Sequence, residues 1–407
     1  MARTTHRGRW TLADRFASAW HYLPVEVPPG SHALRVRLAC RTPRCVLDLG
    51  CLGPAGFRGW SGGARREFVI TPDGATPGYL PGELEPGTWQ VMIGLYRVPA
   101  DGAEYQVIAE ASSAPGRVAP PPPPAAPPPL ADGDRPPSRS LPAAPGRRWL
   151  AGDLHTHTVH SDGGLTVPEL ALLAAGRGLE FLAITDHNTV SHHAELPPAS
   201  GRYGITLLPG QEVTTNGGHA GALGDIGWVD FREPPDAWLA HTEQRGGLLS
   251  VNHPIGGELS WILPMTGRPP LAEVWHWSWL DLRWTTPIAW WLAWDPGAVP
   301  VGGSDWHRPS DLSAPGAPTT WVECEAADPA AVLDGLGAGR VAISAGRDGP
   351  VLLRCGGDLI ALGAEGTTLA GPDGPRARVT GPRQAFPAAP GHHRLLDDSG
   401  ATLALIG

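Results

Sequence analysis

The sequence predicts an α/β protein with an all-β domain before the α/β region and a small β extension after it. Three observations carry this reading. Short apolar runs punctuated by Pro and Gly fill the N-terminal part, a proline-rich stretch follows, and beyond it runs of strand length alternate with helical ones. At 407 residues the chain exceeds one ordinary domain and can bury a sizeable core.

The first runs, HALRVRLAC, CVLDLG, REFVIT, TWQVMIGLYRV and EYQVIAE, are separated by Pro-Gly, Gly-Gly and Pro-Asp-Gly breakers. This spacing predicts a β-sandwich-like domain over residues 1–118. Residues 120–129 read PPPPPAAPPP, which can neither pair into a sheet nor continue a helix. A stiff linker is expected over 119–148, about 30 Å or more if extended.

In the region 149–348, Thr166-Val-Pro-Glu169 is a capping box with proline in the first turn. The helical run LALLAA follows, and Gly176 and Gly178 end it. The run EFLAIT reads as a buried strand, with Asp186, His187 and Asn188 directly after it. Further strands precede Glu212 (ITLLPGQE), His253 (LLSVNHP), and Asp305 with His307 (AVPVGGSDWH). Strand and helix in alternation imply parallel strands with helical crossovers. Each candidate ligand is then expected at or just past a strand's C-terminal end, the edge where barrels of this class assemble their chemistry. From Pro350 onward VLLRCG, LIALG and ATLALIG predict a β extension over 349–407.

Composition excludes several function classes. A formal charge of −9, no lysine and no dense arginine run give no electrostatic reason to bind a nucleic-acid polymer or an acidic membrane. The start MARTTHRGRWTLADRF has no apolar signal core, and no stretch is long and apolar enough to span a bilayer, so a soluble cytoplasmic protein is expected. The 5 cysteines are odd in number and lack C-x-x-C pairing, which predicts reduced structural thiols.

The chemistry concentrates in short blocks between residues 153 and 307: DLHTHTVHSDG, TDHN, GQE, GHAGALG, NHP and GSDWH. They hold His155, His157, Asp162, His187, Glu212, His219, His253, Asp305 and His307. His155 and His157 are one residue apart, so an extended backbone points both to one face, where they can share an ion. A lone HxH carries little weight, and a single histidine is as readily a hydrogen-bonded core residue. The whole mixed nitrogen and oxygen set suits zinc, manganese or iron, and a bridging carboxylate would let it complete two or three divalent ions. Asp186 is a candidate for orienting a ligand or moving a proton, beside the plainer role of a strand-end hydrogen bond.

Seven tryptophans crowd 275–294. Trp290 and Trp294, at i, i+4 spacing, suit helix packing. Trp275, Trp277 and Trp279 alternate and could wall an aromatic pocket for a nucleobase, a sugar or an aryl ester. His192, His193, His276 and Arg308 are further candidates for substrate contact, with His193, Trp275, His276 and Arg308 the leading set.

From about Asp153 to His307 the chain resembles the PHP family, named for polymerase and histidinol phosphatase, through DLHTHTVHSDG, TDHN and GSDWH. The resemblance implies a distorted (β/α)7 barrel holding two or three divalent metals and hydrolysing phosphoric esters. By it His155, His157 and Asp305 would bind one ion and Glu212 would bridge to a second. His219 and His253 would hold that second ion, and Asp162, His187 and His307 a third. Asp186, Glu212, His219 and Asp305 would serve catalysis. EVWHWSW, GSDWH and GRVAISAGRDGP resemble a branch that includes carbamate-cleaving carbaryl hydrolases.

Metal-coordinated water is acidic enough to supply hydroxide near neutral pH, so direct attack on a small phosphate mono- or diester is the expected reaction. Two alternatives stand beside it. The same centre could cleave a carbamate or carboxylic ester, or the N-terminal β module could be a binding domain with the barrel as passenger. The sequence does not fix the oligomeric state.

Overall fold

Along Trp20–Val27 buried side chains alternate with exposed ones, and along Ala33–Cys40 buried Leu34, Val36 and Leu38 alternate with half-buried Arg35 and Arg37, as a strand with one face on a core requires. The computed structural model describes residues 2–116, 118–131 and 133–407. Contacts divide the chain into two units. The first holds the residues up to Ala125 together with Val159–Asp162 and His187–His192; the second holds Ala126–Thr158, Gly163–Asp186 and His193–Gly407.

Among the described residues the first unit has two antiparallel four-stranded sheets. One runs Ala2–Trp10, Ala103–Ser112, Ala33–Cys40, Glu67–Ile70, and the other Trp20–Val27, Gly87–Arg97, Val46–Gly53, Gly56–Gly62. Leu34, Val36, Leu47, Leu49, Trp89 and Val91 share one fully buried apolar cluster.

Asp48 is an exception inside this unit, a carboxyl only 8% exposed on the strand Val46–Gly53. Burial pushes its pKa up to about 7, against the opposing pull of Arg66. The folded state therefore holds a proton that the unfolded chain has already released. The stabilisation is complete below the ordinary carboxylate pKa and is lost as pH rises through about 7.

In the second unit Thr166 caps the helix Val167–Gly176 as expected: Glu169 N donates to Thr166 Oγ1 at 3.4 Å, and Thr166 N to Glu169 Oε2 at 2.8 Å. Its apolar face, Val167, Leu170, Ala171 and Ala174, is fully buried with Leu182 and Ile184 of the strand Phe181–Ile184. The unit is mixed α/β, with one large sheet of thirteen strands among the described residues. Phe181–Ile184 runs parallel to both Arg148–Asp153 and Thr206–Thr215, and Leu271–His276 runs parallel to both Leu248–Asn252 and Val299–Gly303. The strand Val299–Gly303 ends this order yet returns to Thr319–Cys324: Thr320 Oγ1 accepts from Gly302 N at 2.9 Å and donates to Gly302 O at 2.8 Å. The sheet is therefore curled.

Two expectations need correction. The strand Gly218–Leu223 is antiparallel to both neighbours. His219 thus sits near a strand's start and Glu212 within Thr206–Thr215, not at C-terminal ends. A hairpin reverses the chain here, so the beginning of one strand lies at the same edge as the end of its partner. The linker is also no free spacer. Leu130, Leu141 and Ala143 pack on the second unit's core. Proline leaves its carbonyl without a matching donor, and here the neighbours supply donors: Arg202 Nη2 and Tyr203 Oη reach Pro127 O at 3.0 and 2.9 Å.

After residue 350 the strand Thr402–Ile406 joins Val341–Ser344 and so extends the large sheet. Val351–Cys355, Asp358–Leu362 and Arg383–Pro387 form a separate three-stranded sheet. Among the described residues the cysteines form no disulfide, and no helix is long and apolar enough to cross a membrane. Because an asparagine cannot ionise, Asp48→Asn should raise the melting temperature relative to wild type at about pH 8. The gain, on the order of a few kcal/mol, should shrink at about pH 5; equal effects at both pH values would contradict a buried, neutral Asp48.

Candidate metal centre

Glu212 is fully buried, and three imidazoles converge on one of its oxygens. His155 Nε2 lies 3.0 Å from Glu212 Oε1, His253 Nε2 3.2 Å and His219 Nδ1 3.3 Å, while His157 Nε2 lies 3.7 Å from Oε2. Asn252 Nδ2 donates to the same Oε1 at 3.0 Å. On the other side His155 Nε2 and His157 Nε2 stand 3.2 and 2.9 Å from Asp305 Oδ1. His155, His157, Glu212 and Asp305 each offer an atom to one position, as do His155, Glu273 and His276.

His155 provides the fit test for a metal. Its Nε2 is buried and makes no hydrogen bond among the described residues, although two carboxylate oxygens are within 3.2 Å. Instead, one ligand atom from each of His155, His157, Glu212 and Asp305 lies within 4.8 Å of the others. On the ring's far side Nδ1 is 2.9 Å from Glu273 Oε1. A proton on Nδ1, shared with Glu273, leaves the Nε2 lone pair for an ion, the usual arrangement of a carboxylate behind a metal-binding histidine. The donor set fits a divalent cation.

The surrounding charges favour positive charge at this position, as a proton on the His155 ring or as a cation that displaces that proton from Nε2. Burial resists a charge on His155, but Glu212, Glu273 and Asp305 outweigh it and hold its pKa well above the ordinary imidazole value. Burial also resists ionisation of Asp305, and the histidines around it, His155 first, hold it well below the usual carboxylate range. Buried negative charge on this scale needs cations.

Glu273 is the residue the sequence reading missed. It is 3% exposed on Leu271–His276, and its Oε2 accepts from His253 N at 2.7 Å. The signal was a carboxylate within an otherwise apolar strand, where charge is rarely buried unpaired. A Cβ on Gly303 would collide with Glu273 Oε1 and with the Cβ of His155, so the glycine before Ser304-Asp305 makes room for this pair. Asp153, also fully buried, accepts from His155 N at 3.1 Å, Ser304 N at 3.0 Å and Gly316 N at 2.8 Å, and ties three loops together. His253 and Asp305 adopt φ of +28° and +49°, and Asn188 +55°. Left-handed backbone at non-glycine residues is costly and collects at functional sites.

The other candidates divide. Asp186 accepts from Thr158 N at 2.9 Å and Thr158 Oγ1 at 2.6 Å, which fastens the strand end to the turn after His157. His307 stacks on His157 with ring centroids 4.2 Å apart, and its Nδ1 donates to Asp305 O at 2.8 Å. Asp162 Oδ1 and His187 Nε2 are 3.6 Å apart, on the two short segments that belong to the first unit. His276 is buried and joins the centre, with Nε2 at 3.2 Å from Asp305 Oδ2. His193 instead reaches Gly210 O at 3.0 Å.

Trp275 is no pocket wall: at 4% exposure it packs with Trp279, Ile288 and Trp291 in a core cluster. Trp277 stands just past the strand's end at His276, in a turn, and is 40% exposed, with Nε1 3.4 Å from Asp305 Oδ2. In the helix Thr286–Trp294 it is Trp291 that is buried, while Trp290 and Trp294 stack on each other at 5.4 Å. The guanidinium of Arg283 is taken by Asp281, Nη2 to Oδ2 2.6 Å. The backbone N–H of Arg308 donates to Asp311 Oδ2 at 2.8 Å, and the residue is exposed.

A mixed α/β protein with a buried histidine–carboxylate centre is the class that fold and site define. With DLHTHTVHSDG, TDHN and GSDWH around that centre, the chain resembles the PHP metallohydrolases. No family model matches it. It is 41% identical over 83 residues to a 3′,5′-nucleoside bisphosphate phosphatase of Chromobacterium violaceum, covering 20% of this chain and 29% of that protein. It is 41% identical over 64 residues to a 5′-3′ exoribonuclease of Haemophilus influenzae, covering 16% of this chain and 23% of that protein. The chain thus spans under a third of the length of these relatives. A two-domain protein containing a predicted PHP-like metal-dependent phosphoesterase, from Bacteroides vulgatus, aligns over 66% of this chain and 98% of its own at 16% identity and a TM-score of 0.42.

Replacing Glu273 by Gln should keep the packing and remove the charge behind His155 and His253. Divalent-metal affinity, titrated on the metal-free protein, should fall about 10- to 100-fold; an unchanged affinity would remove Glu273 from the centre.

Proposed function

We propose that this protein is a PHP-type metal-dependent phosphoesterase that hydrolyses a small phosphate mono- or diester. The observation that carries the proposal is the convergence of His155, His219 and His253 on one oxygen of buried Glu212, with His155 Nε2 outside hydrogen-bonding geometry. In this reading the curled sheet is the family's distorted (β/α)7 barrel, within residues 149–348. A β-sandwich-like domain over 1–118 and the segment 119–148 precede it, and a β extension over 349–407 follows.

His155, His157 and Asp305 would hold one divalent ion, and Glu212 would bridge to a second held by His219 and His253. Asp162, His187 and His307 would serve a third. Such ions, manganese, zinc or iron, polarise an ester oxygen and make water nucleophilic near neutral pH. The chain's own groups do the positioning. Glu273 fixes the His155 ring and the His253 backbone. His276 and Trp277 both approach Asp305 Oδ2, which leaves Oδ1 facing His155 and His157. Asp186, held by Thr158, acts as a positioning residue in this scheme and not as a proton carrier.

The half-exposed indole of Trp277 offers a flat apolar edge beside Asp305, suited to an aromatic leaving group or a nucleobase. The likeness to a nucleoside bisphosphate phosphatase supports a phosphorylated nucleoside over a carbamate as substrate. Arg308 is the exposed cation on the GSDWH loop and would meet the substrate phosphate.

The test couples metal analysis of the purified protein to turnover of para-nitrophenyl phosphate, bis-para-nitrophenyl phosphate and 1-naphthyl methylcarbamate. Bound divalent metal with cleavage of a phosphate substrate is expected; cleavage of the carbamate alone would overturn the phosphoesterase reading. His155→Ala should lose metal and reduce turnover by more than about 100-fold, since it removes a ligand outright and not merely the group behind one.

A further inference from the structure

Two short segments, Val159–Asp162 and His187–His192, are separated from the N-terminal β sheets in sequence but belong to the same unit. Arg65, between the strands Gly56–Gly62 and Glu67–Ile70, holds the first of them. Its Nη1 donates to Ser161 O at 2.8 Å and its Nη2 to Val159 O. Both carbonyls lie within three residues of Asp162. Gly78 holds the second segment: its N–H donates to Ser191 Oγ at 3.0 Å and its carbonyl accepts from Thr189 Oγ1 at 2.9 Å. Ser191 Oγ in turn lies 2.8 Å from His160 Nδ1, which links the segments to each other. At φ +99°, with Trp60 O and His160 O where a Cβ would fall, position 78 accepts only glycine. These clamps bring Asp162 and His187 within 3.6 Å of each other.

We propose that Arg65 and Gly78 are positioning residues for Asp162 and His187. The inference rests on the reading of Asp162 and His187 as metal ligands. A guanidinium suits the role because its planar fork can serve two carbonyls at once, whereas an ammonium is a single point donor.

The experiment measures metal stoichiometry and affinity on the full-length chain for wild type, Arg65→Ala, Arg65→Lys and Thr189→Val. Arg35→Ala, which breaks an ion pair to Glu67 in the same unit, is the control for general loosening. Arg65→Ala should bind the weakest ion about 10- to 100-fold less tightly, Thr189→Val should shift affinity in the same direction, and Arg65→Lys should recover part of the loss. Excess divalent metal should restore Arg65→Ala turnover, and Arg35→Ala should bind metal as wild type does. Wild-type affinity in both Arg65→Ala and Thr189→Val would overturn the inference alone, and equal loss in Arg35→Ala would reduce it to general destabilisation. A wild-type protein that takes up no divalent ion would overturn the metal reading and this inference together.

Discussion

The second unit is organised around one buried carboxylate. Glu212 is buried out of contact with water, and three imidazole nitrogens lie within 3.3 Å of one of its oxygens. A charge so placed is tolerated only when cations meet it. The neighbouring strand ends are arranged accordingly, with histidines presenting nitrogen and carboxylates standing behind them. The curled sheet matters because candidate ligands separated by some 150 positions in sequence, His155 and Asp305, are brought within 3.2 Å only when the strands Arg148–Asp153 and Val299–Gly303 come near one another.

Behind the ligands lies a layer whose business is orientation. Glu273 reaches the His155 ring with one oxygen and the His253 backbone with the other; Asp153 ties the turn at His155 to Ser304 and Gly316. Gly303 leaves the space that Glu273 and His155 fill. These groups fix the His155 ring and the backbone at His155, His253 and Ser304. Such orientation is what separates a metal site from a cluster of polar residues. The left-handed backbone at His253 and Asp305 fits the same account: the surrounding hydrogen bonds hold conformations an isolated chain would avoid.

The N-terminal sheets need not be read as cargo. Their strands alternate and pack as any half-buried sheet does, but two of their loops carry groups that bind the Asp162 and His187 segments. Rigid secondary structure is a better support for ligand geometry than a free loop. The proline-rich stretch gives a parallel case, because its Pro127 carbonyl becomes the acceptor for both Arg202 and Tyr203.

The sequence by itself determined the local elements and marked the candidate ligand set. The capping box at Thr166, the strand Phe181–Ile184 and the blocks around His155, His187 and Asp305 are written in adjacent residues, where spacing and propensity act directly. Tertiary structure alone decided three things. It reversed the strand Gly218–Leu223, which put His219 beside Glu212 from the start of a strand and not its end. It turned Trp275 into the core and left Trp277 exposed, because the strand ends at His276 and Trp277 stands in the turn beyond it. It also gave Glu273 its place behind His155. None of these depends on neighbours in sequence; each depends on what a side chain meets across the sheet, and sequence periodicity carries no record of that.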